Sequence, residues 1–313
     1  VYTQTKVCDW DGFDYFVEQL IEGVVNKKKA VMPFELLHFT DDPFVNRAAS
    51  ESYVLKNYQR MLKQGSLVFT DGFKKGKIRV GYFSADVHDH ATMHLFAEVL
   101  EKHDKQRFEI VLFSFGPPSS DSWRHRAMRA VDRFYDVADS TDHELEAIAL
   151  GECLDIAVDL KGFTKSHRFN LFIDRIAPLQ MAYLGYPGTS GSEAMDYIVA
   201  DPYVIPNDFV SAYSEKVIFM PDVYQANCSA LRLETSPLTR SAVGLPSDSF
   251  VFCSFNSLHK LTPRIFSAWM SILNHVEHSI LWILVEDKKA QDRLRGFAKQ
   301  SGVDEKRIVF CSG

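Results

Sequence analysis

The chain has 313 residues, of which 46% are hydrophobic and 24% are charged, and its formal net charge is −6 at pH 7. These values are typical of a globular protein with one large or two ordinary domains. A negative net charge argues against nucleic-acid binding, which requires a basic face. No run approaches the ~18 consecutive apolar residues of a membrane span. We therefore expect neither a nucleic acid nor a membrane among the partners of this chain.

The cysteines are scattered, and none belongs to a CxxC pair. They are Cys8, Cys153, Cys228, Cys253 and Cys311. An odd number at irregular spacing fits neither a disulfide framework nor a zinc site, so we expect reduced, structural thiols in a cytoplasmic protein. The sequence begins at Val1 and shows no signal peptide, and we interpret it as an excised fragment of a longer protein.

The first part of the chain has the pattern of helices. Apolar residues recur at helical spacing between Asp11 and Asn26, and a second helix is predicted from about Pro43 to Gln64. Residues 1–76 are therefore assigned to a helical N-terminal connector. We find no 34-residue repeat in it.

From Lys77 onward, strands and helices alternate. Short apolar runs indicate strands that are buried on both faces, as in a parallel sheet. The predicted strands are Ile78–Phe83, Phe108–Phe113, Leu154–Leu160, Leu179–Leu184 and Lys216–Phe219, and the predicted helices are Thr92–Lys102, Ser122–Ala130, His143–Leu150 and His167–Asp174. This βαβ alternation predicts a doubly wound, Rossmann-like domain over residues 77–233.

A polar stretch over residues 234–248 is predicted to link two domains. A second βαβ pattern follows over residues 249–313. Its strands are predicted at Phe250–Phe255, Ile280–Val285 and Ile308–Cys311, and its helices at Pro263–Val276 and Ala290–Ser301. Three strands are about half of a doubly wound domain. We therefore expect an incomplete second domain, whose last strand lacks neighbours.

Histidines and carboxylates cluster after the first predicted strand, at Asp86, His88, His90 and His94. A His-x-His pair after a strand is a frequent way to present metal ligands, and His94 lies one helical turn beyond His90. A metal-dependent hydrolase is one hypothesis for this cluster. The alternative is a set of surface histidines at the start of a helix.

The stretch from Asp159 to Gly191 carries further polar groups. Asp159 ends a predicted strand, and ligands bind at the carboxyl edge of open α/β sheets. The next strand runs into the loop Gly185-Tyr186-Pro187-Gly188-Thr189-Ser190-Gly191, whose glycines allow the backbone to approach a ligand closely. The loop is neither a GxGxxG fingerprint nor a P-loop, and an ordinary strand-to-loop exit is the alternative.

Several segments together closely resemble the O-GlcNAc transferase family. They are Arg175-Ile176-Ala177-Pro178-Leu179-Gln180, the loop from Leu184 to Gly191, Met195-Asp196-Tyr197 and Tyr213-Ser214-Glu215-Lys216, with weaker patches from Val7 to Phe310. Members of this family are inverting glycosyltransferases that move N-acetylglucosamine from UDP to Ser or Thr of proteins. The resemblance implies an α/β, GT-B-like fold with two Rossmann-type domains. It covers the catalytic region, truncated at the C-terminus and without the family's tetratricopeptide repeats.

The resemblance implies roles for particular residues. His90 would lie beside the reacting sugar and the acceptor hydroxyl, and Asp86 would belong to the network that carries the proton away; the donor phosphate is an alternative base. Lys260, before a helix N-terminus, would stabilise the charge that develops on UDP. The implied donor-binding residues are Thr92, Leu184, Gly185, Asn256, Ser257 and Lys260, and the implied acceptor-side residues are Lys165, Arg168, Tyr186, Pro187, Gly188 and Thr189.

The sequence departs from the family pattern at several of these places. His88 and Asp89 are unexpected, and Ala91 stands where we expect a proline. Ser257 stands where we expect a longer amide, and Lys161 replaces a small polar residue. These departures concern the local geometry and the acceptor preference, and they leave His90 in place.

We predict a glycosyltransferase that takes UDP-GlcNAc as donor and a protein or peptide as acceptor, without a metal or another cofactor. Two other functions stay open, namely the metal-dependent hydrolase and a non-catalytic module that binds peptides. Because the second domain has only three predicted strands, we expect the fragment by itself to be inactive and to self-associate through its truncated domain.

Overall fold

The computed structural model describes residues 2–28, 31–64, 76–229 and 239–311. The chain divides into two compact units, which we call the small unit (Val1–Ile21 with Leu233–Gly313) and the large unit (Glu22–Arg232). The helical segment predicted over residues 1–76 is therefore divided between the two units.

The described residues form the following helices and strands. The helices are α1 (Tyr2–Thr5), α2 (Phe13–Val25), α3 (Pro33–Leu36), α4 (Pro43–Gln64), α5 (Ala91–Lys102), α6 (Ser122–Ala130), α7 (Asp142–Gly151), α8 (Asn170–Ile173), α9 (Pro263–His275) and α10 (Lys288–Gln300). The strands are β1 (Ile78–Ser84), β2 (Phe108–Ser114), β3 (Arg133–Asp136), β4 (Ile156–Asp159), β5 (Leu179–Ala182), β6 (Tyr197–Ala200), β7 (Lys216–Phe219), β8 (Phe250–Ser254), β9 (Ser279–Leu284) and β10 (Ile308–Cys311).

The large unit is built on a seven-stranded parallel sheet with the order β3-β2-β1-β4-β5-β6-β7. β1 pairs with β2 from Ile78 opposite Phe108 to Ser84 opposite Ser114. From β1 the chain winds outward to β3, and it then returns to β4 and winds outward to β7 in the other direction. The carboxyl ends of β1 and β4 therefore flank the point where the strand order reverses, and open α/β sheets bind ligands in the crevice at that point.

Aromatic side chains fill the core on one face of this sheet. Phe83 stacks on Phe113 with ring centroids 4.4 Å apart, and Phe113 stacks on Tyr135 at 5.2 Å. Full burial of a side chain of this size stabilises the fold by about 1.5–3 kcal/mol. A second cluster, which includes Tyr82 and Phe96, fills the other face. Because both faces are covered, the strands read as nearly continuous apolar runs.

The predicted doubly wound parallel sheet is confirmed. The five strands predicted for the large unit are present, and their ends differ from the prediction by at most two residues. β3 and β6 are additional strands that the sequence analysis does not predict. Each has four residues, which is too short for periodicity to distinguish a strand from a loop. α8 is shorter than the helix predicted over His167–Asp174.

The small unit contains a three-stranded parallel sheet with the order β10-β9-β8, and its core includes residues of α9 and α10. The first residues of the chain also belong to this core. Cys8 is fully buried in it, Trp10 stacks on Phe297 with centroids 4.7 Å apart, and Arg293 pairs with Asp9 at 3.2 Å. Helical periodicity predicts an apolar face, but it does not say which surface covers that face.

The last strand differs from the prediction that it lacks neighbours. β10 pairs in parallel with β9, from Ile308 opposite Leu281 to Cys311 opposite Leu284. Among the strands of the described ranges, no other one pairs with β10, so it lies at the edge of its sheet.

Part of the predicted linker, residues 234–238, lies outside the described residues. Its remainder contains the short 3₁₀ helix Ser241–Val243, which ends at Gly244 in a left-handed conformation. In the ranges that the structure covers, we find no helix with the length and apolar character needed to span a bilayer.

The loops that follow β1 and β2 pack closely at Gly116, which gives a test of the fold. A Cβ atom on this buried residue would lie 1.7 Å from the carbonyl oxygen of Ala85. Gly116→Ala should therefore lower the free energy of unfolding by about 3 kcal/mol, as overpacking does, and urea denaturation measures the change. Gly151→Ala is the matched control. A Cβ atom there meets no atom within 4 Å, so its stability should stay equal or rise by up to about 1 kcal/mol. Equal stability of both variants would contradict the close approach.

Candidate active site

A cavity of about 600 Å³ opens at the carboxyl ends of β1, β4 and β5 in the large unit. Residues from the loops after these strands and from the first turn of α5 line it. Six residues singled out from the sequence lie on its wall, namely Asp86, His90, Thr92, Lys165, Leu184 and Gly185. The cavity is therefore at the place in the sheet where the strand order predicts a ligand.

Asp86 is the acidic centre of this cavity. It is 9% exposed, and its Oδ2 accepts a hydrogen bond from Lys161 Nζ at 2.7 Å and another from the Thr92 hydroxyl at 3.2 Å. The backbone N–H of Asp86 donates to Ser84 Oγ at 3.0 Å. A carboxylate with these partners is held in one orientation, since both side-chain donors reach the same oxygen.

His90 is the N-cap of α5, and this position determines which ring nitrogen carries the proton. The backbone N–H of Thr92 donates to His90 Nδ1 at 3.1 Å. Nδ1 must therefore be the unprotonated nitrogen, and the neutral ring carries its hydrogen on Nε2. In this arrangement Nε2 can donate a hydrogen bond to a ligand oxygen. It can accept a proton only if the ring changes its tautomer and gives up the cap.

The surroundings of His90 favour the neutral ring. Burial lowers the pKa of His90 below its usual value, the Asp86 carboxylate opposes this effect, and the Lys161 ammonium adds to it. The distance from His90 Nδ1 to Asp86 Oδ2 is 3.8 Å, too long for a direct hydrogen bond. The neutral form is thus the one that the site stabilises at neutral pH.

Asp159 holds the loop that follows β4. Its carboxylate accepts hydrogen bonds from the backbone N–H groups of Lys161 at 2.8 Å and Gly162 at 3.0 Å. Burial raises the pKa of Asp159 to about 6, although these two bonds and the charge of Lys161 oppose the rise. Asp159 is therefore a buried acid that shapes the loop on one side of the cavity.

Two residues of the cavity wall have a left-handed backbone. Ser166 has φ 63° and Leu184 has φ 70°. A residue other than glycine costs about 1–3 kcal/mol in such a conformation. The packing around the loops after β4 and β5 offsets this cost, so the cavity wall is built on a strained backbone.

The metal site proposed from Asp86, His88, His90 and His94 is not assembled. His94 Nε2 lies 2.6 Å from Asp89 Oδ1 on the exposed side of α5, and His90 Nδ1 is taken up by the helix cap. Within the residues that the structure describes, we find no group of three or more His, Cys, Asp or Glu side chains placed to hold a metal ion. The spacing of the histidines suggested one site because sequence distance does not show which face of a helix each side chain takes.

Two of the residues implied on the acceptor side are committed to bonds within the fold. The Arg168 guanidinium donates to the carbonyl of Ser140 at 2.9 Å and to that of Ala138 at 3.3 Å. The Tyr186 hydroxyl donates to Asn46 Oδ1 at 2.9 Å, and burial raises the pKa of Tyr186. Neither residue lines the 600 Å³ cavity, whereas the exposed Lys165 does.

Pro187, Gly188 and Thr189 line a different cavity of about 270 Å³ in the large unit, beside the start of α4. The Thr189 hydroxyl is almost fully buried and donates to Glu215 Oε2 at 2.7 Å. The loop from Leu184 to Gly191 thus presents its first residues to one cavity and its later residues to another.

The implied donor residues of the small unit lie between β8 and α9. Asn256 lines a cavity of about 340 Å³, and Ser257 precedes a 3₁₀ helix, Leu258–Lys260. Lys260 is exposed three residues before the first residue of α9, and within the described part of the chain its ammonium forms no ion pair. A free cation beside a helix N-terminus is a suitable group for an anion.

Lys161 and His88 line the large cavity and are not among the site residues implied by the resemblance. The available signal was their position, since each follows a strand by two to four residues at the carboxyl edge of the sheet. The sequence analysis treats both only as departures from a pattern.

The comparison with protein families identifies the chain. The family model described as Glycosyl transferase family 41 matches residues 7–227 and 225–313. The chain belongs to glycosyl transferase family 41. The match covers most of both units.

Relatives of this family-41 chain include two curated proteins. An Arabidopsis thaliana protein named "Probable UDP-N-acetylglucosamine--peptide N-acetylglucosaminyltransferase SEC" is 30% identical over 331 residues, which cover 99% of this chain and 34% of that protein. A Caenorhabditis elegans protein named UDP-N-acetylglucosamine--peptide N-acetylglucosaminyltransferase is 23% identical, over 98% of this chain and 37% of that protein. The chain thus spans little more than a third of the length of these relatives.

A solved structure supports the same fold. A mutant of the Thermobaculum terrenum O-GlcNAc transferase matches 99% of this chain and 59% of its own chain, with a TM-score of 0.77 and 23% identity. The GT-B-like, α/β fold expected for this family-41 chain is therefore confirmed.

Asp159 gives a prediction about pH and stability. Its pKa is raised from 3.8 to about 6 by folding, so the unfolded chain releases this proton at a lower pH than the folded chain does. The stabilisation from protonated Asp159 is complete below pH 4 and is lost as the pH rises through about 6. Relative to Asp159→Asn, the wild-type chain should therefore lose up to about 3 kcal/mol of unfolding free energy between pH 4 and pH 7.

Urea denaturation at several pH values measures this difference. Asp208→Asn, at an exposed position of the large unit, is the control and should show no such trend. A constant difference between the wild type and Asp159→Asn across this pH range would contradict the raised pKa.

Proposed function

We propose that this protein is an inverting glycosyltransferase that transfers N-acetylglucosamine from UDP-GlcNAc to Ser or Thr hydroxyls of polypeptides. The observation that carries the proposal is the family match, which covers both units. The names of the Arabidopsis and Caenorhabditis relatives agree with this donor and with a peptide acceptor.

Lys260 and the start of α9 suit the leaving group. In the transfer, the bond from the anomeric carbon to the diphosphate oxygen breaks while the acceptor oxygen bonds to the same carbon. Negative charge then builds up on the diphosphate, and an ammonium beside a helix N-terminus stabilises it. The proposal therefore needs no metal ion for this step.

The cavity of the large unit suits the reacting sugar and the acceptor. His90 lines it in the neutral form, with its hydrogen on Nε2, and Asp86 is held by Lys161 and Thr92. The tautomer of His90 supports a role as hydrogen-bond donor to a substrate oxygen. The hydroxyl proton then goes to another base, and the donor phosphate named above is the group we propose.

Transfer by the full-length protein tests the proposed function. The protein is incubated with UDP-GlcNAc and Ser- or Thr-containing peptides, and mass spectrometry detects the addition of one N-acetylhexosamine. UDP binding without transfer to any peptide would replace the proposal with a non-catalytic binding module. A bound stoichiometric metal at the histidines, together with hydrolysis of a substrate, would replace it with a hydrolase.

Substitutions of His90 test its role in the reaction. In the full-length protein, His90→Ala should lower kcat by ~10²-fold or more with little change in UDP affinity. The amide of His90→Gln can donate a hydrogen bond near the position of Nε2 but cannot act as a base. We therefore expect His90→Gln to be about tenfold faster than His90→Ala. Equal rates of the two variants would favour His90 as the base.

Substitution of Lys260 tests the donor side. Lys260→Ala should weaken UDP binding by about 1–3 kcal/mol, which is typical of a charge-assisted hydrogen bond, as measured by isothermal titration calorimetry. Lys288→Ala is the control, because Lys288 is an exposed lysine of the small unit that pairs with Asp292. An affinity that falls equally in both variants, or in neither, would contradict the assignment.

A further inference from the structure

Lys161 is a buried ammonium on the wall of the large cavity. It is 5% exposed and follows the end of β4 by two residues. Its Nζ donates to Asp86 Oδ2 at 2.7 Å, and among the described residues this is its one hydrogen-bond partner. An ammonium has three N–H donors, so two of them are free in a group that lines the cavity.

The pair of Lys161 and Asp86 joins two strand ends that lie on either side of the reversal in strand order. Asp86 follows β1 and Lys161 follows β4, and the two residues are 75 positions apart in the chain. Asp86 also accepts the hydroxyl of Thr92, whose backbone N–H donates to His90. A continuous set of hydrogen bonds therefore leads from Lys161 to the ring of His90.

Lys161 also affects the charges around it. Its ammonium lowers the pKa of His90 and of His167, in both cases as a smaller contribution than burial. It opposes the rise in the pKa of Asp159. It is thus the cation that the surrounding acids and histidines share.

We propose that Lys161 is a positioning residue for this site, which holds the Asp86 carboxylate and, through Thr92, keeps His90 neutral and correctly oriented in the cavity. The inference rests on the proposed function for what the site does, but not for how Lys161 controls His90. Nothing in the resemblance assigns this role, and the family pattern has a small polar residue at this position.

Removal of the ammonium should change the protonation of His90. In Lys161→Met the charge is lost, while the Asp86 carboxylate remains near His90. The groups that act on His90 are Asp86, Lys161, His88 and His94. Loss of the one permanent cation among them should raise the pKa of His90 by about one pH unit or more. Nitrogen-15 NMR of the histidine rings measures this shift, with His90→Gln used to assign the signal.

Two further variants make this measurement decisive. Lys105→Met removes another lysine of the large unit that pairs with a carboxylate, Asp132, at 3.2 Å, and it should leave the pKa of His90 unchanged. Removing one partner of a buried ion pair can unfold a protein. Lys161→Gln therefore carries the test if Lys161→Met does not fold, since its amide can still donate to Asp86 but has no charge. An unchanged pKa of His90 in the folded Lys161 variant would overturn the proposal.

The second measurement is enzyme kinetics of the full-length protein. We expect Lys161→Met or Lys161→Gln to lower kcat by ~10–10²-fold, the effect of a misplaced group, with KM for UDP-GlcNAc changed by less than about threefold. Lys161→Arg, which keeps the charge, should recover part of this loss. A normal kcat in a variant whose His90 pKa has shifted would overturn the positioning role. If the wild-type protein transfers no sugar, the proposed function fails, whereas NMR still tests the link from Lys161 to His90.

Discussion

The pairing of β1 with β4 in the middle of the large sheet is the constraint on which the candidate site depends. These strands pair in parallel from Val80 opposite Ile156 to Phe83 opposite Asp159. Because crossovers between parallel strands are right-handed, winding from this pair in both directions places helices on both faces and leaves the carboxyl ends uncovered. The loops after β1, β4 and β5 then meet around one cavity.

The ion pair of Asp86 and Lys161 crosses the same point and sets the electrostatics of the cavity. A buried ion pair is weak evidence for stability, because the desolvation of both charges offsets their attraction. Here the pair also orients Thr92, and Thr92 fixes the tautomer of His90. A bond between two loops thus becomes a statement about chemistry, since it determines whether an imidazole can donate or accept a proton.

The backbone around the cavity is packed too closely to be rearranged cheaply. A Cβ atom on Gly185 would lie 2.1 Å from the carbonyl oxygen of Leu160, and Leu184 beside it has a positive φ. The glycines of this loop therefore serve the contact between two loops at least as much as an approach to a ligand. Close packing of this kind holds the polar groups in place before a substrate arrives.

The sequence by itself determined the positions of most helices and strands, the parallel sheet and the family, because these depend on local apolar runs and on one specific loop. It also located His90, Asp86 and Lys260 at the ends of strands. Only the tertiary structure decided that Asp86 meets Lys161, that Arg168 binds neighbouring carbonyls and that the first residues complete the core of the small unit. The physical reason is that periodicity reports whether a side chain is buried, whereas its partner depends on strand order and on surfaces distant in the chain.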